Sequence, residues 1–234
     1  MYYKTSQKII IPLLVLLCYD QKALIQTESE KSPTIIYYAK KFNFSELTFL
    51  TEKQKQDHYT LYTRYVDKLN EIRNSLATLP RTANTTYSEF RSLKIAETFA
   101  LNGALLHELY FENIIGKSSQ NMGPCFKKLL LKSFESEEQY LKDLKNCAGC
   151  ARGWAITAYS YYDNALYNFV LDAHNETVPA MTIPLVIIDT YEHAYMIDFG
   201  IDRATYLSKI FEHLQWDIIE ERTKKMLYKP IIQD

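Results

Sequence analysis

Asp189-Thr190-Tyr191-Glu192-His193-Ala194-Tyr195 follows directly on the apolar run Ile183 to Ile188. A carboxylate at a strand end and an imidazole four residues later, where the chain turns helical, can point into one inward site. Such a pair suits a transition metal of borderline hardness; the same spacing also makes a plain helix-start hydrogen bond. His107 sits among Ala104, Leu105 and Phe111 on an apolar helical stripe. A buried neutral imidazole there needs one partner, and either a hydrogen bond or a metal satisfies it. His58 lies seven residues, two helical turns, before Tyr65, so these side chains share a face. His58, His107, Asp189 and His193 would close a coordination set around one ion, apart from one solvent position.

The rest of the composition narrows the alternatives. With five histidines and six glycines against nineteen tyrosines, each histidine can be weighed singly. Neither G-x-x-x-x-G-K-[ST] nor G-x-G-x-x-G occurs, which removes the common phosphate-cradling loops. Four cysteines (Cys18, Cys125, Cys147, Cys150) are too few for a secreted disulfide framework and favour a reducing or organellar compartment. Cys147-Ala148-Gly149-Cys150 is a single C-x-x-C with no second pair, read as two small, partly buried side chains rather than a zinc ribbon. A net charge of −1 gives no global attraction to nucleic acid or anionic membranes. Arg222, Lys224, Lys225 and Lys229 read as a solvated last helical turn.

Several elements must position the candidate ligands. The 234 residues suffice for a substantial core. Ile9 to Tyr19 is an apolar run behind Lys4 and Lys8, with no acid before Asp20. It resembles a targeting segment, is too short to span a bilayer, and is expected to be retained and packed on its own domain or a neighbouring chain. Residues 1–46 are read as an extension. A capping box at Thr51-x-x-Gln54 opens a helix running to about Ala77, where Leu79-Pro80 ends it. A second box, Thr86-x-x-Glu89, opens a helix with Phe90, Leu93, Ala96, Ala100, Ala104, His107 and Phe111 on one stripe, ending near Gly116. These two form an antiparallel α-hairpin domain at 47–117, and the Gly116 to Pro124 linker marks a boundary before a C-terminal α/β domain at 124–234. In that domain Ser136-x-x-Gln139 caps a helix, and Trp154 to Tyr159 and Ala165 to Leu171 form a β-hairpin. Ile183 to Ile188 reads as a buried central strand whose ladder starts no earlier than Leu185, because Pro184 lacks a donor. Arg203 to Leu227 is helical. The fold class is α+β: an α-hairpin packed on an α/β layer with a small, mostly antiparallel sheet.

These residues carry a resemblance to the iron/manganese superoxide dismutases. Asp189 to Tyr195 resembles that family's D-x-W-E-H-A-Y, with Tyr191 in place of the tryptophan. Arg203, Tyr206 and Trp216 follow at similar distances, and Gly153-Trp154 resembles the family's G-x-G-W. Asn102-Gly103 through His107-x-x-Tyr110-Phe111 resembles N-G-G-x-x-x-H-x-x-F-W, and Tyr65-Val66-x-x-Leu69-Asn70 resembles Y-V-x-x-L-N. The resemblance covers about residues 47–227. It implies ligands at His58, His107, Asp189 and His193 for one iron or manganese ion per chain. Counting back from Tyr65 without a gap puts Asp57 at the first ligand position, whereas counting forward from Leu50-Thr51 puts His58 there. His58 is preferred, with one residue deleted before Tyr65, since an imidazole matches the family ligand.

The resemblance further implies dismutation of superoxide at a metal that changes valence, which excludes zinc. The family's gateway tyrosine is matched by Tyr65, but Leu61 stands where a histidine precedes it. Of the two usual sites of the outer glutamine, one holds Gly103 and the other falls near His174-Asn175, where His174 would substitute. Phe111 and Tyr191 stand for tryptophans, and Leu106 for an asparagine. Iron and manganese stay open because that choice rests on these surroundings. Glu192 matches the glutamate that reaches a partner's ligand histidine in the family's dimer. A mitochondrial enzyme is the leading expectation. The alternative is a dismutase-fold structural subunit of a large mitochondrial assembly, a respiratory complex or ribosome, contacting neighbouring subunits through residues 1–46.

Overall fold

Thr51 caps the first helix as its sequence predicts: its hydroxyl oxygen accepts from the Gln54 N–H at 3.2 Å. The computed structural model describes residues 35–117, 121–176 and 178–228, and in it α1 spans Glu52–Thr78. Its inward face carries His58, Tyr62, Val66, Leu69 and Ile72, three or four residues apart. The helix stops one residue before Leu79-Pro80. The apolar run Ile9 to Tyr19, and Cys18 and Lys229, lie outside the described residues. None of the described helices is long and apolar enough to cross a membrane.

The second helix, α2, spans Glu89–Ile114, and its cap is Ser88 rather than Thr86. The Asn84 side-chain oxygen accepts from the Thr86 and Tyr87 N–H groups at 2.9 and 3.0 Å. That turn keeps the chain extended for two more residues, so the Ser88 hydroxyl takes the Arg91 N–H at 3.0 Å. The buried face runs through Ala100, Gly103, Ala104, His107, Phe111 and Ile114; Phe90, Leu93 and Ala96 are only half-buried. α1 and α2 pack along their length. A Cβ at position 103 would come within 2.7 Å of the Tyr65 ring, so glycine sets how closely the helices approach there.

Residues 35–50 bind to this hairpin by polar contacts. Tyr37 exchanges two hydrogen bonds with the Asn70 side chain, at 2.9 and 2.8 Å. Buried Glu108 on α2 accepts from the Tyr37 and Tyr62 hydroxyls at 2.9 and 2.7 Å and pairs with the Lys40 ammonium at 3.0 Å. Phe42 and Phe44 each pack edge-on against Phe111, with centroids 5.2 Å away.

Helix α3, Pro124–Leu130, begins inside the predicted linker. Gly123 supplies no capping side chain; the Glu220 carboxylate, far along the chain, accepts from the Cys125 and Phe126 N–H groups at 3.0 and 2.9 Å. α4, Glu137–Cys150, is capped by Ser136 as predicted. Cys147 is half-buried and Cys150 exposed on its last turn.

Strands β1 (Trp154–Ser160), β2 (Ala165–Leu171) and β3 (Thr182–Asp189) form an antiparallel sheet in the order β2-β1-β3. The central strand is therefore β1, buried at every position, and β3 is an edge, contrary to the sequence expectation. Apolar continuity in β3 comes from the cover of α2 and α7 (Trp216–Tyr228) instead of from two strand neighbours. Pro184 is paired with Ala158, so the ladder starts before Leu185; an edge position beside a register shift tolerates its missing donor. Two side chains satisfy the outer carbonyls of β3: Asn113 Nδ2 donates to Ile187 O at 3.2 Å and Arg222 Nη1 to Leu185 O at 2.5 Å. Arg222 is thus largely buried, also bound to Glu112 and Asn113, and does not belong to a solvated basic turn. A 3-10 turn at Glu192–Ala194, α5 (Met196–Phe199) and α6 (Arg203–His213) complete the described chain. His213 ends α6 with its ring 4.4 Å from that of Phe49, half-buried rather than on the surface.

Replacing Glu108 with alanine strips two tyrosine hydroxyls and Lys40 of their acceptor and is expected to cost about 2–4 kcal/mol. Lys40→Ala, at a half-exposed ammonium, should cost under about 1 kcal/mol. Urea unfolding of both variants checks the order, and equal losses would contradict it.

Candidate metal centre

Four side chains from four segments converge at the junction of hairpin and sheet. His58 comes from α1, His107 from α2, Asp189 from the last position of β3 and His193 from the 3-10 turn. Their donor atoms all lie within 4.8 Å of one another. Asp189 Oδ2 is 3.2 Å from His58 Nε2, 3.1 Å from His193 Nε2 and 3.6 Å from His107 Nε2. The Nε2 atoms of His107 and His193 are 3.3 Å apart. Donors bound to one ion at about 2.1 Å lie about 3.0–3.6 Å apart for bond angles of about 90–120°. Four of the six donor separations fall in that range, and the donor types suit a single ion.

The choice between Asp57 and His58 is settled by the helix. α1 is regular through this stretch, so His58 points inward while Asp57 is exposed and pairs with Lys53 at 2.6 Å, one turn back on the same surface. His58, His107 and Asp189 are buried, and His193 keeps 27% of its side-chain surface.

Burial holds the imidazoles of His58 and His107 neutral. It lowers His58 despite the opposing Asp189 carboxylate, and lowers His107 well below the ordinary range, with the neighbouring His58 adding to the effect. Burial alone would raise Asp189, but the adjacent His193 and His58 hold it far below the usual carboxylate range. His107 Nδ1 lies 2.5 Å from Gly103 O; a carbonyl only accepts, so Nδ1 carries the proton and Nε2 presents its lone pair to the site. The Tyr191 N–H donates to Asp189 Oδ1 at 2.9 Å, which leaves Oδ2 as the inward atom. Tyr206 donates to the Asp189 carbonyl at 2.9 Å, so its oxygen accepts from the Tyr110 hydroxyl, also at 2.9 Å.

An aromatic wall surrounds the ligands. Phe111 lies edge-on to His58 at 5.0 Å, Trp154 edge-on to His107 at 5.1 Å, and Tyr191 stacks on His193 at 5.1 Å and 18°. A Cβ on Gly153 would meet Leu171 O and the Tyr191 hydroxyl at 2.8 Å, which explains the glycine before Trp154.

Tyr65 and His174, the other two candidates, meet beside the ligands. His174, buried, has Nδ1 2.9 Å from Trp154 Nε1 and Nε2 2.8 Å from the Tyr65 hydroxyl. Indole N–H only donates, so Nδ1 accepts, Nε2 carries the proton and the Tyr65 oxygen receives it. The Tyr65 O–H is then free to turn toward the ligands, its ring lying 5.4 Å from that of His107. Burial lowers His174 to about 4, keeping it neutral, and raises Tyr65 to about 12, with the Asp189 charge adding to the rise. Asn102 Nδ2 holds the His174 carbonyl at 2.7 Å. Sequence reasoning did not assign the holding roles of Trp154 and Asn102. Both lay within matched segments, but their partner, His174, sits in the loop after β2, which no local pattern places.

Residues 123–222 match the pattern described as iron/manganese superoxide dismutases, C-terminal domain. The iron superoxide dismutase of Aquifex pyrophilus is 36% identical over 183 residues, 76% of this chain and 86% of that protein. The iron superoxide dismutase of Cupriavidus metallidurans is 30% identical over 176 residues, 74% and 87% of the two lengths. Manganese superoxide dismutase 2 of Haloferax volcanii is 29% identical over 163 residues, 68% and 79%. With relatives named for either metal and the three histidines and one aspartate gathered about one point, the chain belongs to the iron/manganese superoxide dismutase family.

Proposed function

We propose that the protein dismutates superoxide, taking two superoxide anions and two protons to dioxygen and hydrogen peroxide. The observation that carries this reading is the 3.1–3.6 Å spacing of Asp189 Oδ2 from the three Nε2 atoms. Held by His58, His107, Asp189 and His193, an iron or manganese ion would supply the one-electron couple that both halves of the dismutation need. Three imidazoles, neutral as metal ligands must be, and one carboxylate would offset a single unit of the cation's charge, so the site attracts an anion. Tyr65 lends a proton at its oxygen, and His174 Nε2–H, fixed in that tautomer by Trp154, steadies the oxygen as the proton moves. Phe111, Trp154 and Tyr191 exclude bulk water from the ligand side.

The relatives named for iron and those named for manganese leave both metals as candidates, and we infer one ion per chain. We extend the reading to a dimer formed around Glu192. That residue is exposed next to His193, and Met196 and Ile197, each 46% exposed, with Ile201 at 95%, offer apolar surface nearby.

Purified chain supplied with iron or manganese is expected to bind one equivalent and to dismutate superoxide. His107→Ala should lose both properties, and Asp57→Ala should keep both. Metal analysis with a superoxide-consumption assay decides this; a metal-loaded wild type without turnover would sink the enzyme reading. His174→Ala should lower turnover about 10–100-fold with the ion retained. His174→Gln, which can still accept from Trp154 and donate to Tyr65, should recover most of it, and equal rates for the two variants would refute the bridging role. Sedimentation should find two chains per particle, with Glu192→Lys driving the mass toward one; a monomeric wild type would exclude the dimer.

A further inference from the structure

Gln54 is fully buried one helical turn before His58. In a capping box the N3 glutamine reaches back to the N–H of the cap residue. Here that N–H, on Thr51, goes instead to Asp198 Oδ2 at 2.7 Å, and the Thr51 hydroxyl donates to Asp198 Oδ1 at 2.6 Å. The carboxylate from α5 has taken over the glutamine's usual task. Gln54 spends its amide elsewhere: Nε2 donates to the His193 carbonyl at 2.6 Å, and Oε1 accepts from the Ile197 N–H at 3.1 Å.

We propose that Gln54 is a positioning residue for the metal site, tying the helix that carries His58 to the backbone that carries His193. Among the four ligands His193 most needs such a tie. His58 and His107 stand within helices of 27 and 26 residues, and Asp189 ends a strand paired along its length. His193 stands in a three-residue 3-10 turn followed by a four-residue helix, with no side-chain cap on either. Elements so short hold few internal hydrogen bonds and take their geometry from what they are fastened to. Two fasteners join this segment to the start of α1. The Asp198–Thr51 pair grips the end away from the ligand, and Gln54 grips the ligand's own carbonyl. The second fixes the separation of His58 and His193, and through it the shape of the donor set.

This inference rests on the site holding a metal and not on turnover, so its readout is metal release and spectrum. Protein loaded with manganese or iron is challenged with excess EDTA, and its electron paramagnetic resonance spectrum is recorded. Gln54→Met, close in shape but without either hydrogen bond, should release the ion on the order of tenfold faster and change the zero-field splitting pattern. Gln54→Glu, which keeps an acceptor for Ile197 but sets a carboxylate oxygen against the His193 carbonyl, should do the same and serves if the methionine variant does not fold. Asp198→Ala cuts the other fastener and is the control: its melting temperature should fall while release stays within about twofold of wild type and the spectrum is unchanged. Equal release from the Gln54 and Asp198 variants, or wild-type release from the Gln54 variants, would overturn the proposal, as would a wild type that holds no ion. A wild type that holds its ion tightly without dismutating would overturn the enzymatic reading and leave the role of Gln54 standing.

Discussion

The Asp189 carboxylate is the charge the fold is organised around. It is fully buried, and an isolated carboxylate in such surroundings would protonate rather than stay charged. Every atom of the residue able to accept is occupied. Tyr206 takes its carbonyl, the Tyr191 N–H takes Oδ1, and imidazoles face Oδ2. Those partners come from α1, α6 and the turn after β3, while His107 adds α2, so the helical hairpin and the sheet layer cannot separate without stranding the charge. Removing one partner from such a set is costly because the carboxylate stays behind.

Close approach is the second constraint, and it explains where glycine is spent. The ligands must reach one point from rigid elements, so neighbouring side chains have to pass at contact distance. Gly103 lets the Tyr65 ring lie against α2, and Gly153 lets Tyr191 lie against the start of β1. Any side chain at either place would push an aromatic ring out of the wall around the ligands. The same economy governs the polar groups of α2: the Gly103 carbonyl, one turn before His107 on the buried face, becomes the acceptor that orients its imidazole.

Local chemistry was legible in the sequence, and long-range exchange of partners was not. The caps at Thr51 and Ser136, the end of α1 before Pro80, the hairpin of β1 and β2 and the Asp189–His193 spacing all follow from residues within a few positions of one another. Ser88 displaced Thr86 because the Asn84 side chain intervened, a competition between neighbours that the capping pattern does not weigh. α3 is hidden because its cap is Glu220, and β3 reads as a central strand because helices can bury an edge as fully as strands do. Arg222 reads as one more basic residue in a charged turn until the carbonyls of β3 are seen to need donors. Of the site, the ligands were legible as residue types with the right spacing. The tautomer of His174 was not, because it depends on an indole twenty residues away.

The departures from the family pattern around the ligands form a consistent set. By the resemblance of their segments to the family's motifs, Leu61, Leu106 and Phe111 stand for polar or indole-bearing side chains, and each removes a donor or acceptor that would need a partner. Leu106 and Phe111 are buried, so a polar residue there would require a hydrogen bond, while an apolar one requires only packing. Where a polar group is kept, it is paired: His174 by Trp154 and Tyr65, Tyr110 by Tyr206, Asn102 by the His174 carbonyl. Among the described residues, Arg203 Nε is the one buried side-chain nitrogen or oxygen without a hydrogen-bond partner, and it does not lie on a ligand. The shell beside the ligands is built around the His174 imidazole, with its donors and acceptors matched.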